Sequence, residues 1–126
     1  MGSARPYHQP TVLVVEDEFI IALDLSETVK DLGFRVEGPY AGKDHAFSAI
    51  DQHMPDFAIL DVMTADGEVF PLADALTEAG VPIIFHSGHV KPEEISQRYP
   101  QALACSKPCP PSKLMEMINA ANAQAH

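Results

Sequence analysis

The stretch Thr11-Val12-Leu13-Val14-Val15-Glu16-Asp17 decides the fold class, because five mostly β-branched residues end abruptly in two carboxylates. A run this short, without polar alternation, is typical of a strand buried on both faces, as in a parallel sheet. Phe57–Leu60 and Val81–Phe85 are similar apolar runs. Weaker runs at Arg35–Gly38 and Ala102–Cys105 predict two more strands, the first of them nearer an edge.

Segments with helical spacing separate these predicted strands. Their markers are Ile21, Leu25, Val29 and Leu32 before Gly33; Ala46 and Ile50; Leu72, Ala73 and Leu76 after Pro71; Glu93–Tyr99 after Pro92; and Leu114, Ile118 and Ala121. A strand followed by a helix, five times over, implies right-handed crossovers and helices on both faces of the sheet. We therefore predict a flavodoxin-like, doubly wound (βα)5 α/β domain over residues 11–124, with a five-stranded parallel sheet in the order 2-1-3-4-5. Met1–Pro10 lacks periodicity and is predicted to be a flexible arm or an expression remnant.

Composition and charge exclude several classes of protein. The 126 residues suffice for one domain, and 46% hydrophobic with 21% charged residues is ordinary for a globular chain. A formal net charge of −10 opposes binding to nucleic acid. Without a membrane-length apolar run or a signal peptide, a cytoplasmic protein with no membrane partner is expected. Cys105 and Cys109 are expected to be free, buried thiols, and not a disulfide or a metal site.

Polar side chains follow four of the predicted strands. Glu16 and Asp17 end the first strand, Asp61 the third, Ser87 the fourth and Lys107 the fifth. The carboxyl ends of parallel strands meet at one edge beside the switch point, so these side chains are expected to converge. Three converging carboxylates would raise one pKa, and a bound Mg²⁺ ion would remove that conflict.

This set of residues suits phosphoryl transfer. A magnesium ion that bridges to phosphate oxygens neutralises charge on the phosphoryl group. The carboxylate of Asp61 would be the nucleophile and form an acyl phosphate. Lys107 would hold one phosphate oxygen as a point charge, and Ser87 would donate a hydrogen bond to another. Each feature alone also fits a helix cap or a solvated loop, so the prediction depends on the combination.

The runs Val14–Glu18, Leu60–Val62, Ser87-Gly88 and Lys107-Pro108 together resemble the response-regulator receiver domain (CheY-like) of two-component signalling. The resemblance spans about Thr11 to Ala123. It implies that a histidine kinase or a histidine phosphotransfer protein phosphorylates Asp61, and that the chain catalyses only its own phosphorylation and dephosphorylation. The implied Mg²⁺ ligands are Glu16, Asp17, Asp61 and the backbone carbonyl of Met63. Ser87 and Lys107 take the catalytic roles of the family, and the Lys107–Pro108 peptide is implied to be cis.

The chain departs from the family at the conformational switch. Most receivers carry Tyr or Phe three residues before the lysine, where this chain has Ala104. The run Phe85–Gly88 is similar to a subgroup with Phe-Ala-Thr-Gly here, no aromatic residue on strand five, and kinases of the HWE or related class. His89 or Tyr99 is the expected substitute switch. The output is expected through the face of helix four, strand five and helix five (Lys91–Ala123), by protein contact or phosphorelay.

Two other functions stay open. A phosphotransferase or phosphatase of the haloacid-dehalogenase type also uses an aspartate after a strand, but it wants a second aspartate where this chain has Met63. A degenerate receiver would bind partners without phosphate; the intact site residues count against it, and Ala104 leaves it open. His86 is expected to be a packed or hydrogen-bonded residue on the sheet face opposite to Ser87, because side chains alternate along a strand.

Overall fold

A computed structural model describes residues 9–88 and 90–125. The main sheet contains β1 (Thr11–Val15), β2 (Arg35–Tyr40), β3 (Phe57–Leu60), β6 (Ile83–Ser87) and β7 (Leu103–Ser106). Two short strands, β4 (Met63–Thr64) and β5 (Gly67–Glu68), form a separate antiparallel hairpin. The helices are α1 (Phe19–Asp31), α2 (Lys43–Gln52), α3 (Phe70–Glu78), α4 (Pro92–Arg98) and α5 (Pro111–Ala125).

The main sheet is parallel throughout, with the strand order β2-β1-β3-β6-β7. Since β6 and β7 are its fourth and fifth strands, the predicted order 2-1-3-4-5 is confirmed. The order reverses between β1 and β3, which is the switch point of the fold. Val15 pairs with Leu60, and Ser87 pairs with Ser106, so the carboxyl ends of these strands lie at one edge.

A hydrophobic core covers each face of the sheet. Alternation along β1 sends Leu13 and Val15 to one core and Val12 and Val14 to the other. The first core also contains buried residues of α2, α3 and α4, and the second contains those of α1 and α5. Helices therefore lie on both faces, as the strand–helix alternation predicted. The sheet is held rigid from both sides, which fixes the positions of its carboxyl ends.

The hairpin β4–β5 was not predicted. It follows Asp61 and Val62 directly, and its tip is tied to α2 because the backbone N–H groups of Lys43 and Asp44 donate to the Asp66 carboxylate at 2.9 and 3.1 Å. Two-residue strands are too short for a period-2 pattern to reveal them. Asp66 thus caps a helix whose own N-cap residue, Gly42, has no side chain to do so.

The prediction of two free cysteines is wrong, because Cys105 and Cys109 are joined by a disulfide. Their Cα atoms lie 5.8 Å apart, within the range that a disulfide spans. The chain leaves β7 and turns before α5, which begins at Pro111, and this turn brings the two residues together. The implied cis Lys107–Pro108 peptide is confirmed. Free cysteines would have supported the prediction of a cytoplasmic location. Because the two cysteines form a disulfide, they no longer support it.

Within residues 9–88 and 90–125, no helix is both long enough and apolar enough to cross a membrane. Most of the predicted N-terminal arm and the candidate switch residue His89 lie outside the described residues.

Candidate functional site

Backbone hydrogen bonds extend the sheet into the loops that carry the predicted site residues. The N–H of Asp61 donates to the carbonyl of Val15, and the N–H of Lys107 donates to the carbonyl of Ser87, both at 2.9 Å. On the other side of β1, the N–H of Glu16 donates to the carbonyl of Tyr40 at 2.9 Å. These residues are therefore held by the rigid sheet although they follow its strands.

Lys107 joins the side chains of the site. Its Nζ lies 3.0 Å from Asp61 Oδ2, 2.9 and 3.1 Å from the two carboxylate oxygens of Glu16, and 2.9 Å from Glu18 Oε1. Burial alone would lower the pKa of Lys107, but its hydrogen bonds to these carboxylates outweigh burial and raise that pKa. The lysine is therefore a fixed positive charge at the edge of the sheet.

Four carboxylates lie together at this end of the sheet, and three of them contact Lys107. Oxygen atoms of Glu16, Asp17, Glu18 and Asp61 all lie within 4.8 Å of one another. Glu16 and Asp61 are buried, whereas Asp17 and Glu18 are exposed. Burial raises the pKa of Glu16, against the opposing effect of Lys107. The site thus has a buried floor, formed by Glu16 and Asp61, and an open acidic mouth, formed by Asp17 and Glu18, whose charge attracts cations.

Ser87 is also buried and ends β6 next to this cluster. Its Oγ accepts a hydrogen bond from the N–H of Val90 at 3.1 Å. Its backbone carbonyl holds Lys107, so β6 and β7 bring the hydroxyl and the ammonium to the same end of the sheet. The fold therefore brings the ends of β1, β3, β6 and β7 together as predicted.

Comparison with known proteins identifies the fold. No family model matches the chain. The phyllosphere-induced regulator PhyR of Methylorubrum extorquens is 29% identical over 113 residues, which cover 87% of this chain and 42% of that protein. The solution NMR structure of the receiver domain of the response regulator PhyR from Erythrobacter litoralis is 28% identical, covers 92% of each chain and superposes with a TM-score of 0.79. The chain has the receiver-domain fold.

A further solved structure supports the fold alone. The response regulator receiver protein of Sinorhizobium medicae is 23% identical, yet it superposes with a TM-score of 0.82 over 94% of this chain and 98% of that one. The chain spans less than half the length of the curated PhyR relative. The comparison therefore concerns 42% of that relative and gives no function of its remaining part to this chain.

Glu18 is a site residue that the sequence analysis missed. It lies one residue beyond the acidic pair, and its side chain contacts Lys107 as closely as Glu16 does. Its backbone N–H donates to Glu16 Oε2 at 3.1 Å, which turns the loop so that both glutamates face the lysine. Three consecutive acidic residues were the available signal, but their order along the chain does not reveal which of them turn inward.

His86 is packed, as predicted, and lies unexpectedly close to the site. It follows Ile84 by two positions, and Ile84 belongs to the core of α1 and α5. Its Nδ1 lies 3.9 Å from Glu16 Oε1 and has no hydrogen-bond partner among the described residues. Burial lowers the pKa of His86, and the charge of Lys107 lowers it further. Both effects favour the neutral form of the imidazole beside Glu16.

The residues of the site fit a bound Mg²⁺ ion. Glu16 Oε1 is a buried carboxylate oxygen whose charge is offset by the Lys107 ammonium, 2.9 Å away. Oxygen donors that are partly exposed and close together are those that Mg²⁺ prefers. Met63 lies in β4, two residues beyond Asp61, and its N–H donates to Asp61 Oδ1 at 3.4 Å. The residue predicted to add a backbone carbonyl thus lies beside the acidic cluster.

Tyr99 lies on the core face where the usual aromatic switch is missing. Its buried ring packs 5.1 Å from the Phe85 ring and 5.9 Å from the Phe70 ring, measured between centroids. Phe85 is paired across the sheet with Ala104, whose small side chain packs against the same core. The hydroxyl of Tyr99 donates to Asp74 Oδ1 at 2.6 Å, which links the end of α4 to α3.

Proposed function

We propose that this chain is a phosphoacceptor receiver domain, in which a histidine kinase or a histidine phosphotransfer protein phosphorylates Asp61 in a Mg²⁺-dependent reaction. The observation that carries the proposal is the contact of buried Asp61 with Lys107 inside a cluster of four carboxylates. A carboxylate is the nucleophile for this chemistry, and the lysine supplies a positive charge where a phosphate oxygen would lie.

In the proposed reaction, a carboxylate oxygen of Asp61 attacks the phosphorus of a phosphohistidine. The new O–P bond forms as the N–P bond breaks, and the released imidazole keeps the electron pair and takes a proton from solvent. Lys107 exchanges its contact with Asp61 for a phosphate oxygen, and the hydroxyl of Ser87 donates to another. Glu16, Asp17, Asp61 and the backbone carbonyl of Met63 would hold Mg²⁺, which would neutralise charge on the phosphoryl group. Hydrolysis of the acyl phosphate regenerates the free Asp61 carboxylate. In this proposal the chain is itself the only group that is phosphorylated and dephosphorylated.

The phosphodonor must approach the open mouth of the site, and the first turn of α1 offers it an apolar surface. Phe19 and Ile20 follow the acidic loop directly and are 78% and 73% exposed. Large exposed apolar side chains mark interaction surfaces. We assign this patch to the histidine-bearing helix of the kinase, for which the HWE class is our candidate. Phe19→Ser should slow transfer from a phosphorylated HWE-class kinase and leave phosphorylation by acetyl phosphate unchanged; an equal effect on both donors would refute the docking role.

The output of the domain is proposed to pass through the face of α4, β7 and α5. Ser87 lies at the start of the loop to α4, and Tyr99 lies at the end of that helix, so a change at the hydroxyl can reach the aromatic ring through α4. Tyr99 is our candidate for the substitute switch. Amide NMR signals of residues 91–123 should shift most when a phosphate mimic binds, and unchanged signals there would contradict this output face.

Intact-mass spectrometry with acetyl phosphate tests the proposed function. The wild-type chain should gain one phosphoryl group with Mg²⁺ and none in excess chelator, whereas Asp61→Asn should gain none. Asp51→Asn, the same change at an exposed residue of α2, is the matched control and should behave as wild type. If the wild-type chain binds Mg²⁺ in a separate titration but is not phosphorylated, the degenerate, phosphate-independent receiver becomes the better account.

A further inference from the structure

The disulfide encloses the lysine of the site. Cys105, Ser106, Lys107, Pro108 and Cys109 form a closed ring of five residues. We propose that Cys105 and Cys109 are a redox modification site, whose state sets how firmly Lys107 is held against Asp61. The effect on phosphorylation rests on the function proposed above, whereas the redox chemistry and its effect on Lys107 do not.

The two ends of this ring are anchored differently. Cys105 is paired with His86 in the sheet, and the backbone N–H of Lys107 donates to Ser87. Cys109 follows the sheet and precedes α5, which begins at Pro111. The disulfide is therefore a covalent link from the segment after Lys107 back to β7. When it opens, residues 108–110 lose that link, and the lysine keeps only its backbone bond and its carboxylates.

The two sulfur atoms also differ in accessibility. Cys105 is buried, with 6% of its surface exposed. Cys109 is half-buried and lines a cavity of about 750 Å³ together with Glu18, Lys107 and Pro108. An incoming thiolate can therefore reach Cys109 Sγ from this cavity, whereas the sheet shields Cys105. The accessible sulfur belongs to the end of the ring that lies outside the sheet, where Cys109 packs against the core of α1 and α5.

The chemistry is thiol–disulfide exchange with a dithiol reductant. A thiolate of the reductant attacks Cys109 Sγ, the S–S bond breaks, and the Cys105 sulfur leaves with the electron pair and is protonated. The second thiol of the reductant then attacks the mixed disulfide and releases Cys109 as a thiol. The disulfide gains two electrons and two protons, and the dithiol becomes a disulfide. Oxidation runs the same steps in reverse, with a disulfide as the oxidant.

The small ring argues for regulation and against a purely stabilising role. The cysteines are four residues apart, so closing the ring removes little chain entropy compared with a long loop. Disulfides with an exposed sulfur are more often labile and regulatory than buried ones, and Cys109 is partly exposed. A short link around a site lysine stabilises the fold less than a disulfide across a long loop would, and it constrains the site directly.

Alkylation in glutathione buffers tests the redox site first. The 126-residue chain is equilibrated at a series of ratios of oxidised to reduced glutathione, free thiols are alkylated, and intact mass is measured. We expect a transition from no label to two labels per chain, with little singly labelled protein. Two labels at every ratio, or none in excess reduced glutathione, would overturn the proposal.

The rate of acylation of Lys107 by an amine-directed reagent, read by peptide mass spectrometry, tests the link to the lysine. We expect the reduced protein and Cys109→Ser to be labelled at Lys107 several-fold faster than the oxidised protein. Lys30, exposed on α1, is the internal control and should be labelled at one rate throughout. Equal rates at Lys107 in the two redox states would overturn the link.

Phosphorylation by acetyl phosphate with Mg²⁺ completes the test. The oxidised protein should be phosphorylated several-fold faster than the reduced protein, and Cys109→Ser should match the reduced protein under both conditions. Equal rates for oxidised and reduced wild type would overturn the regulatory role. If neither form is phosphorylated while Lys107 still labels at two rates, the proposed function fails and the redox site stands.

Discussion

At the scale of single residues, Lys107 holds the site together. Its ammonium lies within 3.1 Å of oxygen atoms from Glu16, Glu18 and Asp61, and it offsets their charge where two of these residues are buried. A charge with so many partners has a defined position when a reactant arrives. Charge that is preorganised around the developing transition state contributes strongly to catalysis.

Removal of the positive charge of Lys107 should slow the phosphorylation of Asp61. Lys107→Met is expected to slow phosphorylation of Asp61 by acetyl phosphate by ~100-fold, the usual effect of losing one preorganised charge or donor. Intact-mass time courses measure the rate. Lys113→Met, on the exposed surface of α5, is the matched control and should react as wild type. A Lys107→Met rate close to wild type would show that the ammonium plays no part in the transfer.

Sequence reasoning worked for the residues at strand ends because topology alone brings strand ends together. That Glu16, Asp61 and Lys107 are neighbours follows from the order of the strands that they end. Glu18 could not be assigned in this way, since the inward turn of that residue depends on a local N–H bond to Glu16. The prediction for Cys105 and Cys109 was wrong because their spacing says nothing about how the chain turns between them.

At the scale of elements, the hairpin β4–β5 ties the loop after Asp61 to α2. Asp66 accepts the N–H groups of Lys43 and Asp44, and the Lys43 ammonium lies 3.7 Å from its carboxylate. The backbone hydrogen bond from Lys43 is the largest cause that holds the pKa of Asp66 well below its ordinary value of 3.8. These contacts hold the connection between β3 and α3, which follows Asp61, against the start of α2.

This cap predicts a pH dependence of stability. Because the folded pKa of Asp66 is lowered, its stabilising contribution is full above about pH 4 and declines progressively as the pH falls from there toward the folded pKa. The difference in unfolding free energy between wild type and Asp66→Asn, from urea denaturation, should therefore shrink between about pH 7 and about pH 3. Asp51→Asn, at an exposed position of α2, should show no such trend. A difference for Asp66→Asn that does not change with pH would mean that the cap is unimportant.

The junction of α3 and α4 depends on Tyr99. Tyr99→Phe removes the hydroxyl that donates to Asp74 and is expected to lower the free energy of unfolding by about 1 kcal/mol. Asp74→Asn combined with Tyr99→Phe should cost less than the sum of the single changes, because both remove one interaction. Strictly additive free energies would show that the two side chains are not coupled.

At the scale of the whole molecule, the two cores decide stability. Leu72 on α3 is fully buried, whereas Leu23 on α1 is 47% exposed. Leu72→Ala should lower the free energy of unfolding by about 3 kcal/mol, because it removes buried methyl groups and leaves a cavity. Leu23→Ala, the same chemical change at the surface, should cost no more than about 0.5 kcal/mol. Urea denaturation of both variants measures the difference, and equal losses would contradict the assignment of the core.

The layered architecture was predictable because it depends on the spacing of apolar residues and on the order of strands and helices along the chain. Apolar strands such as β1 alternate with amphipathic helices, and only a few topologies satisfy that order. The β4–β5 hairpin could not be predicted, since two-residue strands depend on hydrogen bonds such as that from Val69 N–H to the Val62 carbonyl at 2.8 Å. Packing of Tyr99 toward Phe85 likewise follows from where α4 lies, which no local pattern determines.

The most direct test of the central claim is to locate the modified residue. The chain is incubated with acetyl phosphate and Mg²⁺ and reduced with borohydride, which converts an aspartyl phosphate to homoserine, and its peptides are then sequenced by mass spectrometry. We predict homoserine at position 61 and at no other aspartate. Homoserine at another position, or phosphate retained on a histidine with Asp61 unchanged, would contradict the account.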